Sequence, residues 1–132
     1  MTLETTGNRP STAPRVVVVG AGFAGLNAVK GLRESGYRVT LLDKHLYSTF
    51  QPLLYQVATG GLNPGDVSYA VGGYAREHHA RYDRGEVTGI DPETRQITLT
   101  DGRQLGYDYL ILATGVSAAY FKDEVTYEHT FA

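Results

Sequence analysis

The sequence predicts an α/β fold, a parallel sheet with a small antiparallel β excursion, and three observations carry that expectation. A β-branched run, Arg15-Val-Val-Val-Val19, stops at a glycine. The turn Gly20-Ala-Gly-Phe-Ala-Gly25 then opens a helically periodic stretch that leads to a second β-rich run. Beyond residue 85 the apolar period changes from that of a helix to that of a strand.

Taken in order, the first thirteen residues are rich in Thr, Pro and Ser without an apolar core. They read as a mobile tail rather than a signal peptide, and the folded domain is expected over 14–132. Val16–Val19 has the continuous apolar character of a strand buried on both faces. A helix is predicted from Phe23 to about Glu34, with Leu26, Val29 and Leu32 on one side and Ser35-Gly36 ending it. Tyr37–Leu42 is the second strand, closed by Asp43. Together these make a βαβ unit, whose crossover is almost always right-handed.

Residues 44–65 form a long irregular connection through Gln51-Pro-Leu-Leu-Tyr-Gln-Val-Ala58, ending in a cluster of Gly, Asn and Pro. Connections of that length without structure of their own are usually functional. Asp66 is placed to cap a helix running to about Ala80, which Gly72-Gly73 weakens. Strands are expected at 85–91, 96–100 and 104–107, with turns at Asp91-Pro92 and Asp101-Gly102. Asp108–Ala113 reads as another buried strand, ending in Thr114-Gly115, and the residues from Val116 to Ala132 have no evident secondary structure.

Composition narrows the function. Twelve basic and fourteen acidic residues leave a formal charge of −2, so no basic surface recommends nucleic acid or anionic lipid. The chain has no cysteine, which removes disulfides, thiolate metal sites and thiol nucleophiles and suits a reducing, cytoplasmic setting. No apolar run approaches the roughly 20 residues of a membrane span. His78-His79 are adjacent and have no carboxylate partner set, so a solvated helix face is the better reading than a metal site. Ser48 and Ser117 lie in no nucleophile elbow.

What remains is a nucleotide site. Gly20 permits the sharp turn off the strand, Gly22 lets backbone approach a diphosphate, and Gly25 lets helix and strand pack closely. The helix start offers free N–H groups and partial positive charge to the phosphates. Asp43, eighteen residues after Gly25, is placed to accept hydrogen bonds from ribose hydroxyls. Its charge disfavours a 2′-phosphate. This is a Rossmann-like arrangement, and by itself it does not separate FAD from NAD.

Two further segments add a resemblance. Leu110-Ile-Leu-Ala-Thr-Gly115 resembles the strand that passes under the cofactor in glutathione-reductase-like flavoproteins. Phe50-Gln-Pro-Leu-Leu-Tyr-Gln-Val-Ala-Thr59 resembles a signature of type II NADH:quinone dehydrogenases, and the similarity runs from Val16 through Tyr120-Phe-Lys-Asp123 to His129. The resemblance implies a glutathione-reductase-like FAD fold and the N-terminal FAD-binding portion of a peripheral enzyme on the inner membrane face. Such enzymes pass electrons from NADH through FAD to quinone.

By that resemblance Gly20, Gly22, Gly25 and Asp43 fall on FAD-binding positions. Phe23 and Ala24 would offer amides to the pyrophosphate, Lys44 would lie beside the adenosine, and Val87 near the adenine. Gln51, Pro52 and Leu53 would sit toward the flavin ring, with Ala113, Thr114 and Gly115 lining the cofactor from below. No residue is identified as a general acid or base, and the 132 residues are not expected to be catalytically competent alone. Two alternatives stay open. One is a non-catalytic nucleotide-binding module that forms a homodimer or exchanges strands; the other is part of a ferredoxin-type or sulfide:quinone reductase.

Overall fold

The computed structural model describes residues 12–116, so all but the end of the expected N-terminal tail, and everything from Ser117 onward, lie outside the described residues. That includes the Tyr120–Asp123 and His129 part of the resemblance. The first unit runs β1 (Arg15–Val19), α1 (Phe23–Gly31) and β2 (Arg38–Asp43). There follow β3 (Tyr47–Thr49), α2 (Leu54–Ala58), β4 (Ser68–Ala70) and α3 (Val71–Glu77). The chain continues as β5 (Arg81–Arg84), β6 (Val87–Asp91), β7 (Gln96–Leu99), β8 (Gln104–Gly106) and β9 (Tyr109–Leu112).

Three layers result. The middle one is a parallel sheet in the order β5-β2-β1-β9. Because side chains alternate along a strand, the valines of β1 divide between two cores. Val16 and Val18 join Val39 and Leu41 beneath Leu26 and Val29 of α1 and Val71 and Ala75 of α3. Val17 and Val19 join Leu42 on the other face, beneath Ile97 and Leu99 of the antiparallel sheet β6-β7-β8, with Tyr107. A strand covered on both sides has to be apolar at every position, which is why β1 reads as an unbroken valine run.

Several expectations change. The first helix stops at Gly31, short of Glu34. The helix expected over 66–80 begins only at Val71. Asp66 instead sits in a 3-10 turn, Pro64–Val67, accepting the Asn63 N–H at 2.9 Å. Gly72 and Gly73 lie inside α3, where a side chain at Gly72 would press on the Tyr82 ring. The strand ending at Leu112 is not buried as expected. It is a sheet edge, with Tyr109 57% and Leu112 59% exposed, because no described residue pairs on its outer side. β5 was not foreseen, since Arg-Tyr-Asp-Arg hides an edge strand behind charge. His78 is buried, not solvated: its ring stacks on Tyr74 at 4.2 Å and its Nδ1 lies 3.0 Å from the Tyr74 carbonyl.

Arg103 fastens the antiparallel layer to the sheet. Its guanidinium donates to Asp83 Oδ1 of β5 at 2.6 Å and to Asp101 Oδ2 at 2.7 Å.

Candidate functional site

The carboxyl ends of β1, β2 and β9 open into one cavity of about 830 Å³. This is where ligands bind in open α/β sheets. Residues Gly20 to Ala24 form one wall and Leu112 to Val116 another. Asp43, His45 and Gln51, with Tyr47, Ser48 and Thr49 of β3 and Tyr69 of β4, complete it.

The three glycines do different work. Gly20 has φ +102°, and a Cβ there would overlap the Ala113 carbonyl. A Cβ at Gly25 would overlap the Gly20 carbonyl, so Gly25 is buried behind the turn and holds the helix against it. Gly22 faces open space, with nothing within 4 Å of where a Cβ would stand. Two of the positions therefore serve packing, and the third leaves backbone bare beside the cavity.

The turn is tied on every side. The Gly20 N–H donates to the Leu42 carbonyl at 2.8 Å, and the Leu26 N–H to that of Gly22 at 3.0 Å. Beneath it, the Ala113 N–H donates to the Val19 carbonyl at 2.8 Å. Asp43 Oδ2 accepts the Ala21 N–H at 2.6 Å, and Oδ1 accepts the His45 N–H at 2.7 Å. An ionised carboxylate has about four acceptor positions, so roughly two remain beyond these bonds, on a residue that lines the cavity. The Ser48 hydroxyl donates to the Ala21 carbonyl at 2.7 Å. Tyr82 donates to the His45 carbonyl at 2.8 Å, and burial, followed by the charge of Asp43, raises its phenol above the ordinary value of 10.0. The Phe23 and Phe50 rings meet edge to face at 5.5 Å, joining the helix start to the segment before Gln51.

Of the residues singled out from the sequence, Gly20, Gly22, Phe23, Ala24, Asp43, Gln51, Ala113, Thr114 and Gly115 line this cavity. The others do not. Lys44 pairs with Glu86 at 3.0 Å, and both side chains are exposed. Pro52 and Leu53 share the 3-10 turn of Gln51 but do not line the cavity. Val87, paired with Leu99 of β7, packs against the core beneath the antiparallel sheet. His45, Tyr47, Ser48, Thr49 and Tyr69 are additional wall residues. They come from the β3–β4 ribbon, where Ser48 faces Tyr69. Three-residue strands are too short for alternation to announce them, and only the β-propensity of Tyr and Thr hints at their presence. Among the described residues no three His, Cys, Asp or Glu side chains gather as metal ligands.

A glycine turn between first strand and first helix, with an acid at the tip of the second strand, is the architecture of dinucleotide-fold proteins. Comparison with known proteins narrows this. The pattern of the pyridine nucleotide-disulphide oxidoreductase family matches residues 14–130, and the chain belongs to that family. It is 41% identical over 114 residues to type II NADH:quinone oxidoreductase NdhA of Mycobacterium tuberculosis, covering 83% of this chain and 24% of the relative. With Ndh of the same organism it shares 35% identity over 120 residues, or 88% of this chain and 26% of the relative. Among solved structures, the sulfide:quinone oxidoreductase of Aquifex aeolicus superposes with a TM-score of 0.77 at 27% identity, over 82% of this chain and 26% of that one. NDH2 of Plasmodium falciparum, solved with NADH, gives 0.73 at 26% identity, over 83% and 24%. The chain thus spans about a quarter of the length of these relatives.

Proposed function

We propose that the chain is the N-terminal, FAD-anchoring portion of an NADH:quinone oxidoreductase. The observation that carries this reading is the convergence of the glycine turn, Asp43 and the Ala113–Gly115 turn on one cavity. Its volume falls within the roughly 300–1,000 Å³ of small-ligand sites. The bare backbone at Gly22 fits a diphosphate, and the open acceptor positions of Asp43 fit ribose hydroxyls. Gly20 to Ala24 would hold the diphosphate and Asp43 the adenosine ribose, with Gln51 and Ala113 to Gly115 toward the flavin end. FAD, when bound, supplies hydride and electron transfer, while these residues supply position and exclude water. Lys44, Pro52, Leu53 and Val87 are assigned to the cofactor by the family resemblance alone.

The names of the relatives support NADH as donor and quinone as acceptor in the full-length enzyme. We place that enzyme in the cytoplasm, peripheral on the inner face of the membrane. Among the described residues no helix is long and apolar enough to cross a membrane. Titration of the purified chain with FAD, followed by visible spectroscopy and calorimetry, is expected to give stoichiometric flavin binding. Absence of both signals overturns the reading for this chain. Assays of the full-length parent with quinone and either NADH or sulfide as donor separate the two named quinone reductases. A second reading, self-association into a homodimer or strand exchange, is favoured by the β9 edge, which no described residue pairs and where Tyr109 and Leu112 are exposed. Light scattering at high concentration tests it, and a strictly monomeric mass removes it.

A further inference from the structure

We propose that Ser48 is a positioning residue for the glycine turn, fixing the peptide between Ala21 and Gly22 and so presetting the Gly22 N–H for the incoming diphosphate. The inference rests on the reading that this turn receives a dinucleotide.

A trans peptide is planar, with its C=O and N–H on opposite sides. Ser48 Oγ donates to the Ala21 carbonyl at 2.7 Å, so the Gly22 N–H across the same peptide cannot swing without breaking that bond. Among the described residues no protein acceptor meets the Gly22 N–H, and Gly22 borders the cavity. Neighbouring peptides of the turn have other holders. The Leu42 carbonyl accepts the Gly20 N–H, Asp43 accepts the Ala21 N–H, and the Gly22 carbonyl accepts the Leu26 N–H. The Ala21–Gly22 peptide depends on Ser48 alone among the described residues. Glycine at the next position offers no side-chain barrier to rotation, so this is the peptide most in need of a holder.

Ser48 is well placed to provide one. It is the middle residue of β3, paired with Tyr69 of β4, and half-buried in the cavity wall. The ladder fixes its backbone, and the hydroxyl reaches back across 27 positions of sequence. Preorganised amides bind without first being ordered, which is where the gain in affinity arises.

Ser48→Ala and Ser48→Thr in the 132-residue chain test this. Ser48→Ala is expected to unfold at nearly the wild-type temperature yet bind FAD and ADP roughly three- to tenfold more weakly. The ¹⁵N order parameter of the unliganded Gly22 amide is expected to fall in the same variant. Ser48→Thr, which keeps the hydroxyl on a strand-compatible side chain, restores both. Wild-type affinity and an unchanged Gly22 order parameter in Ser48→Ala would overturn the proposal. So would a variant that loses thermal stability and affinity together without rescue by threonine, since that marks a simple tether. If wild type binds neither FAD nor ADP, the dinucleotide reading fails, and the order parameter alone still decides whether Ser48 holds the peptide.

Discussion

The glycine turn and the segment 44–65 border the same cavity but are held in opposite ways. In the turn, successive peptides each have a partner from a strand end, a helix or a side chain, and at Gly20 and Gly25 no room exists for a side chain. The segment has no charged residue from Leu46 to Gly65 and is built from short pieces, a three-residue strand and a five-residue helix among them. Leu46, Tyr47, Phe50, Leu54 and Tyr55 remain exposed on it. It is anchored by the ribbon with β4, the Phe50 N–H to the Val67 carbonyl at 2.7 Å, and the Phe23–Phe50 contact. The contrast separates two ways of making a wall. The turn works through its backbone, so space dictates Gly20 and Gly25 while Gly22 leaves the backbone bare. The other segment works through its side chains, several of them apolar and exposed among the described residues.

The largest effect is expected where space is shortest. Gly25→Ala drives a methyl group into the Gly20 carbonyl and should cost about 3 kcal/mol or more in urea unfolding. Gly22→Ala meets nothing and should stay within about 0.5 kcal/mol of wild type while weakening FAD binding. Equal stability of the two variants would show that the glycines are not divided between packing and access.

Asp43 stands where the two regions join, and its removal is next in size. Asp43→Ala should weaken ADP binding by about 1–3 kcal/mol, through loss of charge-assisted hydrogen bonds to the ribose and loosening of Ala21. Unchanged affinity by calorimetry would reduce Asp43 to a fastener of the turn and of His45.

A smaller effect belongs to Tyr82, which anchors the start of the 44–65 segment through the His45 carbonyl. Its phenol is raised by burial and then by Asp43, so the fold favours the neutral form. That contribution is complete below the unfolded value of 10.0 and is lost as pH rises through the raised folded value. Tyr82→Phe should flatten the alkaline limb of the stability profile, and an unchanged limb would place the titration elsewhere.

The parts of this molecule visible in its sequence are those where one constraint dominates. Val16 to Val19 are apolar because both faces of β1 are covered, and Gly20, Gly22 and Gly25 record a turn with two crowded positions and one open one. Asp43 is marked by its place at the end of a strand. Elsewhere two constraints compete. β5 needs charge as a sheet edge and for the Arg103 clamp, which masks its strand character. The β3–β4 ribbon is too short for a period, so Ser48 looks like an ordinary loop serine until its hydroxyl is seen on Ala21. His78 reads as a surface residue because its burial depends on a stacked tyrosine four positions away. Lys44 and Val87 are close to the site in sequence pattern but have partners of their own.

The cavity floor is supplied late. The Ala113 N–H closes on the Val19 carbonyl, about ninety residues downstream, and the Gly20 turn lies directly on that backbone. At a translation speed of roughly 5–20 residues per second, the newborn βαβ unit, complete at Asp43, waits on the order of 4–14 s for this support. During that interval the loop has its helix and its acid but nothing underneath. A chain stalled before Ala113 would therefore carry the whole glycine signature with the Gly20 turn unsupported from below.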